Sequence, residues 1–335
     1  FQAEDGIRDL VRSRGLGDVY KRQLMSRRKL LRRDSRLYFM MAIKYLAAVS
    51  SIHIKNRKHV QAKNMSINKD VKRITVPTIM RMKEQAEKIT MLTAYDALMA
   101  QILDESGIDI VLVGDSGGMV LGGHDNTLAV TMEEMLLYTK SVRRGVNRAL
   151  LVADMPFLSY QTSIADAIKN AGRLMQKGGA EAVKLEGGAP VAEIIKKLVD
   201  FGIPVMGHLG LTPQSIHKFG SYRLQGRNDG DEERFIHDAK LLQDAGVFSI
   251  VLEKIPAGLA ATITECVDVP TIGIGAGMLC DGQVLVSHDM LGLYEKFKPK
   301  FVRRYAELGR QMREAFINYI DDVKSQKFPS EDESY

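Results

Sequence analysis

The sequence predicts a parallel α/β fold, a (β/α)8 barrel of TIM-barrel architecture, and three observations carry that prediction. Six short apolar runs each end on residues able to do chemistry. Residues 108–114 run into Asp115 and Ser116, 149–153 into Asp154, and Ala182-Val183 into Lys184 and Glu186. Residues 203–207 run into His208, 248–252 into Glu253, and 270–272 into Gly273, Gly275 and Gly277. Runs of this kind are what strands covered on both faces look like. Helix-like segments separate them, and strand–helix alternation of this length builds a parallel sheet. The polar residues are spread over at least six strand ends. An open doubly wound sheet gathers its ligands at one switch point, whereas a closed barrel collects them at its C-terminal mouth.

The elements follow in order from Lys88. The first strand is expected near 89–94, with a helix over about 96–105. The second strand ends at Asp115. A glycine-rich loop over 117–125 leads to a helix starting near Thr131, where Thr131-Met132-Glu133-Glu134 reads as a capping box. The third strand ends at Asp154, and its helix spans about 163–177. The fourth strand is 181–186, with a helix over about 190–201. The fifth ends at His208, before a longer Gly-, Gln- and Arg-rich loop over 209–229 and a helix over about 231–245. The sixth ends at Glu253, with a helix over about 256–266, and the seventh ends at Gly273. The eighth unit has the weakest signal, Val284-Leu285-Val286 before Ser287-His288-Asp289. Helical segments and a polar tail over 329–335 complete the chain.

With 335 residues, 45% apolar and 26% charged, the chain has the size and composition of one large globular barrel plus an extension. The net charge of +6 is unevenly placed. Residues 1–64 hold 16 of the 47 Lys/Arg and 5 of the 41 Asp/Glu, leaving 31 against 36, a charge of −5, for residues 65–335. A mildly acidic body argues against a nucleic-acid surface. Two cysteines, Cys266 and Cys280, exclude a disulfide framework and lack metal-ligand spacing. They suit a reducing compartment, read here as the cytoplasm.

Residues 1–64 are expected to be a non-native or disordered extension, and residues 65–335 a single catalytic barrel with C-terminal helices. Residues 3–10 and 17–23 resemble a translated sequencing-adapter read-through. Residues 27–36 are strongly basic, and 37–49 form an apolar stretch too short to span a membrane. A basic stretch before an apolar one is also the pattern of a signal or transit peptide. In-frame upstream sequence is the favoured reading, with Met65-Ser66 as the expected start.

Asp115, Asp154 and Glu186 come from three consecutive strands. Carboxylates gathered in one mouth repel one another unless a cation sits between them, and oxygen-only ligation favours Mg²⁺. Each taken alone could instead cap a helix. Lys184 precedes Glu186 by two residues, so both share a strand face. It is a candidate for a substrate carboxylate or a Schiff base, the first being favoured, or for a structural ion pair with Glu186. His208 can donate to a substrate oxygen or serve as a satisfied core histidine. Glu253 ends an apolar strand, where the surroundings favour a base working near neutral pH; its structural alternative is an ion pair with Lys254 or a loop arginine. The Gly273–Gly277 pattern resembles a phosphate loop, but close backbone approach at the rim explains it as well.

Taken together, Val113-Gly114-Asp115-Ser116, Ala153-Asp154-Met155-Pro156-Phe157, Val183-Lys184-Leu185-Glu186-Gly187-Gly188, residues 207–215, Gln225-Gly226-Arg227, Leu252-Glu253 and residues 272–277 closely resemble the ketopantoate hydroxymethyltransferase family. Thr93-Ala94-Tyr95-Asp96 and residues 123–127 add to the match, which runs from about Ile74 to Phe328. The resemblance implies a barrel of the phosphoenolpyruvate/pyruvate type, a homodecamer, acting in pantothenate synthesis. It implies transfer of a one-carbon unit from 5,10-methylenetetrahydrofolate to a 2-oxo acid, 3-methyl-2-oxobutanoate. By motif, Asp115 and Asp154 would ligate Mg²⁺ with Glu186 close by. Asp115, Ser116, Asp154, Lys184 and His208 would bind substrate, and Glu253 would be the catalytic base. Where the family often has Asp-Ser-Leu-Gly, this chain has Gly117, expected to loosen that loop. The small-molecule partners are thus an oxo acid and a folate, with neither nucleic acid nor membrane. The rivals are an isocitrate lyase-like carbon–carbon lyase, whose Lys-Lys-Cys-Gly-His loop this sequence lacks, and a non-catalytic barrel scaffold.

Overall fold

Eight parallel strands close into a barrel in the order β1 to β8 in the computed structural model, which describes residues 72–226, 229–294 and 298–335. The strands are β1 Ile89–Thr93, β2 Ile110–Val113, β3 Leu150–Asp154, β4 Ala182–Glu186, β5 Val205–Gly210, β6 Ser249–Glu253, β7 Thr271–Ile274 and β8 Gly282–Leu285. β8 pairs with β1, so the sheet has no free edge. They belong to a unit spanning Val71–Tyr335. The extension expected at 1–64 lies outside the described residues, as does Arg227.

Side-chain alternation explains both the apolar runs and where they stop. On β3, β4 and β5, Leu151 and Ala153, Val183 and Leu185, and Val205 and Leu209 face the surrounding helices and join the outer core. The alternate residues Val152, Ala182 and Met206 point inward, where they pack with Met91, Ile110, Leu112 and Leu150. Two residues further along the same inner face stand Asp154, Lys184 and His208. The barrel interior is therefore apolar at its floor and polar at its mouth.

The floor is closed by a helix that the sequence reading did not anticipate, Val76–Glu84, with Pro77 in its first turn. Its Ile79 and Met82 are buried against the inner cluster, each worth about 1.5–3 kcal/mol of hydrophobic stabilisation. Other helices follow the expected order. Ala97–Glu105 is capped by the Asp96 side chain, which accepts from the Met99 amide. Met132–Gly145 begins with the expected capping box between Thr131 and Glu134. The helix expected over 163–177 is α-helical only over Ile164–Arg173. It widens to a π turn at Leu174–Gly178 and stops at Gly179, whose φ of 81° is left-handed. Ala189–Asp200, Asp229–Asp244 and Ala257–Cys266 complete the wall. Leu308–Lys324 follows near the C-terminus with no buried residue.

Two stretches differ from the expected loops. Gly117–Val120 forms a short helix. Gly117 is buried there, and a Cβ on it would lie 2.8 Å from Tyr95 Cδ1 and 3.1 Å from Tyr138 Cε2. The absent side chain is replaced by two tyrosine rings, so the glycine is a packing requirement instead of the loosening expected of it. The loop after β5 also holds structure, a 3₁₀ turn at Pro213–Ser215 and a short helix at Ile216–Phe219.

Candidate functional site

The barrel brings all seven sequence-predicted residues to one mouth. Asp115 and Ser116 lie just past β2, Asp154 ends β3, Lys184 and Glu186 lie at the end of β4, His208 is in β5, and Glu253 ends β6. Asp115, Asp154, Lys184, Glu186 and His208 are buried, while Glu253 is half-buried. β5 continues two residues past His208 to Gly210, whose φ of 99° lets the chain press against Glu253: a Cβ there would stand 2.1 Å from the Glu253 carbonyl oxygen. The next amide, Leu211 N–H, donates to that carbonyl at 2.8 Å.

The register of the parallel ladder decides the pairings. Asp154 sits opposite Lys184, and Glu186 opposite His208. Lys184 Nζ lies 3.0 Å from Asp154 Oδ1, so Asp154 and not Glu186 is its ion-pair partner. His208 Nδ1 lies 3.3 Å from Lys184 Nζ and 3.5 Å from Glu186 Oε1, and His208 Nε2 lies 3.4 Å from Glu253 Oε2. Burial and the Lys184 charge both push the His208 pKa down. The two glutamates outweigh them and lift it to about 9. A charged imidazole donates through Nδ1 to Glu186, leaving Lys184 to Asp154. Glu253 thus pairs with His208. Lys254, one partner in the structural alternative for Glu253, turns away at φ 46° and donates to the Tyr222 carbonyl.

Crowding of like charge is the main electrostatic fact of the site. Burial raises the Asp115 pKa, and Asp154 and Glu186 raise it further. Burial also raises Asp154, partly offset by Lys184. Glu186 falls on the other side: burial would raise it, but His208 and Lys184 more than reverse that. Burial alone would depress Lys184, and the three carboxylates reverse the sign and raise it. Four carboxylates, Glu253 included, around one ammonium and one imidazolium leave a negative excess when all are ionised.

That excess, with oxygen-only donors, suits a hard divalent cation. Asp154 Oδ1 is met by the Lys184 ammonium at 3.0 Å and His208 Nε2 faces Glu253 Oε2 at 3.4 Å; neither atom makes a further hydrogen bond, so a bound ion or substrate would add to the polar network there. Among the described residues, no group of three or more His, Cys, Asp or Glu side chains is arranged to hold a metal ion as it stands. The carboxylates are held by Lys184, His208 and Gln214 instead.

Several residues of the site carried no assigned role in the sequence reading. Ser116 Oγ is 2.9 Å from the hydroxyl of Tyr95, which is fully buried. Tyr160, from the segment after β3, accepts the Glu186 amide at 3.2 Å and donates to Gln214 Oε1 at 2.9 Å. The only sequence signal for Gln214 was its place in the stretch 207–215, just past a strand end. The glycines after β7 make close backbone contacts: Gly275, at φ 63°, would put a Cβ 3.1 Å from the Phe301 ring, and Gly277 would put one 2.6 Å from Ala257 Cβ. The rim-packing explanation of that pattern needs nothing further.

The family model for ketopantoate hydroxymethyltransferase matches residues 73–331. A 3-methyl-2-oxobutanoate hydroxymethyltransferase from Syntrophotalea carbinolica is 57% identical over 264 residues, 79% of this chain and 99% of the relative. One from Syntrophus aciditrophicus is 54% identical over 271 residues, 81% of this chain and 100% of the relative. Among solved structures, a phosphonopyruvate hydrolase in complex with oxalate and Mg²⁺ superposes with a TM-score of 0.53 at 11% identity, covering 77% of this chain and 92% of that one. A 2,3-dimethylmalate lyase of the PEP mutase/isocitrate lyase superfamily superposes with a TM-score of 0.50 at 14% identity, covering 77% and 90%. At such identities the likeness concerns the barrel alone.

Proposed function

The chain belongs to the ketopantoate hydroxymethyltransferase family, and from that membership we propose that it transfers a hydroxymethyl group from 5,10-methylenetetrahydrofolate to 3-methyl-2-oxobutanoate, giving 2-dehydropantoate. The observation that carries the reading is the buried acidic cluster of Asp115, Asp154 and Glu186 around Lys184, with Glu253 set across His208 from it.

In this reading Asp115 and Asp154 hold Mg²⁺, with Glu186 beside them. When bound, Mg²⁺ supplies Lewis-acid polarisation of the substrate's 2-oxo group. Lys184 and Ser116 hold the substrate carboxylate, the ammonium by charge and the hydroxyl by a hydrogen bond. Glu253 removes the C3 proton as general base, and the resulting carbon nucleophile forms the new C–C bond to the methylene carbon of the folate; both methylene–nitrogen bonds break, one water supplies the hydroxyl oxygen, and tetrahydrofolate leaves with its nitrogens protonated. His208 lines the pocket between the two glutamates and keeps Glu253 in place.

We also propose that the chain works as a homo-oligomer, a decamer by family resemblance, in the cytoplasm. Support comes from the helix Leu308–Lys324, which leaves Met312, Phe316, Ile317, Tyr319, Ile320 and Val323 exposed. An apolar stripe of this size on one helix marks a surface that a partner covers. Among the described residues no helix is long and apolar enough to cross a membrane.

The test is proton NMR of 3-methyl-2-oxobutanoate in D₂O with the protein and Mg²⁺, followed by addition of methylenetetrahydrofolate. The expected result is metal-dependent loss of the C3 proton signal, then formation of 2-dehydropantoate. Exchange without product would leave an enolising barrel with a different one-carbon donor. Absence of both exchange and product from folded, Mg²⁺-saturated protein would favour a non-catalytic barrel.

A further inference from the structure

Gln214 touches three of the strand ends and following loops that build the mouth. Its backbone N–H donates to Glu186 Oε2 at 3.0 Å. Its side-chain Nε2 donates to Asp115 Oδ2 at 2.9 Å and to the Met155 carbonyl at 2.9 Å. Its Oε1 accepts from the Tyr160 hydroxyl at 2.9 Å and from Gln161 Nε2 at 3.3 Å. Both amide hydrogens and both oxygen lone pairs are therefore in use. Rotating the amide by half a turn would press Oε1 against a carboxylate and a carbonyl, so only one orientation is tolerated. Gln214 and Tyr160 are themselves buried.

The consequence concerns which carboxylate oxygens are available. Gln214 occupies Oδ2 of Asp115 and Oε2 of Glu186. Glu186 Oε1 faces His208, and Asp154 Oδ2 accepts the Asp115 amide at 3.1 Å. Asp115 Oδ1 takes none of these hydrogen bonds, and Asp154 Oδ1 carries only the Lys184 ion pair at 3.0 Å. We infer that Gln214, oriented by Tyr160, is the positioning residue of the acidic site: it presents Asp115 through one oxygen and holds Glu186 back from direct ligation. A divalent cation would then be held by the open oxygen of Asp115 together with Asp154, whose Oδ1 it would share with the Lys184 ammonium, and Glu186 would act at longer range. The amide also brings two donors and no net charge to a place where a further carboxylate would add to the repulsion. This inference rests on the metal-site reading above.

The test measures ion binding directly, with Mn²⁺ titrated into the full-length protein and free ion read by electron paramagnetic resonance, and with Mg²⁺ followed by calorimetry. Gln214→Leu should weaken Mn²⁺ and Mg²⁺ binding by about 10–100-fold, the range typical of losing an outer partner of a metal ligand. Tyr160→Phe deletes one hydroxyl, keeps the ring in its packing, and should give a smaller loss in the same direction. Circular dichroism of each variant without metal establishes that the barrel is formed. Wild-type affinity in a folded Gln214→Leu protein would overturn the positioning role while leaving the metal site intact. If Gln214→Leu does not fold, Tyr160→Phe decides: an unchanged dissociation constant overturns the inference. Failure of the wild-type protein to bind either ion would remove the metal-site reading and this inference with it.

Discussion

Lys184 Nζ stands 3.0 Å from Asp154 Oδ1 with both side chains almost wholly buried. The pair is made across the β3–β4 ladder, where the two residues are in register. It is the charge around which the mouth is arranged, because Asp115 and Glu186 lie within electrostatic reach of the same ammonium.

Removing that ammonium should be costly. Lys184→Met leaves three buried carboxylates without their cation and is expected to destabilise the metal-free protein by about 3–5 kcal/mol, the range for breaking a buried pair. Added Mg²⁺ should restore part of the loss. Urea unfolding with and without Mg²⁺ measures both, and a metal-free midpoint equal to wild type would show that the pair contributes nothing to stability.

Glu253→Gln should bind 3-methyl-2-oxobutanoate as wild type does while turnover falls by ~10²-fold or more, the contribution expected of a general base. Calorimetric binding and steady-state rates separate the two. A near-normal rate would take Glu253 out of the base role.

Asp154→Asn should raise the Mg²⁺ concentration needed for half-maximal C3 proton exchange by at least ~10-fold, the lower end of what even an outer-shell loss costs. Unchanged metal dependence in this variant would count against ligation by Asp154.

Gly117→Ala tests the packing of the two tyrosine rings. The added methyl would meet Tyr95 Cδ1 at 2.8 Å and Tyr138 Cε2 at 3.1 Å. Overpacking of this kind costs about 1–3 kcal/mol. Because Tyr95 holds Ser116 Oγ at 2.9 Å, weaker binding of the 2-oxo acid should accompany the loss. A denaturation midpoint matching wild type would show that the rings yield freely.

The capping box of Met132–Gly145 carries a pH signature. Hydrogen bonds from the Thr131 amide and hydroxyl hold the Glu134 pKa below its ordinary value of 4.5. A depressed folded pKa contributes stability that is fully present above 4.5 and lost as the pH falls through the folded value. Glu134→Ala should therefore cost about 1 kcal/mol at pH 7, the size of a typical cap, and the gap to wild type should close in acid. A gap that persists undiminished at low pH would assign the loss to something other than the ionised cap, and not to helix propensity, in which alanine exceeds glutamate.

The barrel and the membership of its mouth were legible in the chain itself. A strand covered by helices outside and by a packed core inside must be apolar on both faces. A polar residue at the end of such a run, as Asp154 ends Leu150–Asp154, can only emerge where the barrel opens. Alternation likewise put Lys184 and Glu186 on one face. The floor helix Val76–Glu84 is not legible in the sequence, because its two buried residues, Ile79 and Met82, are too few to show a helical period, although Pro77 marks its start.

What only the tertiary structure decided is who pairs with whom. Residues two apart on a strand are separated by roughly 6.6 Å, whereas neighbours across a ladder are about 4.8 Å apart. Lys184 therefore reaches Asp154, which is 30 positions away in sequence, before it reaches Glu186 two positions on. The same geometry sets His208 against Glu186. Gln214 was beyond reading for a related reason. Its partners Asp115, Met155, Tyr160 and Glu186 come from three earlier strand ends, and no local pattern records that barrel closure folds a loop after β5 back over all of them.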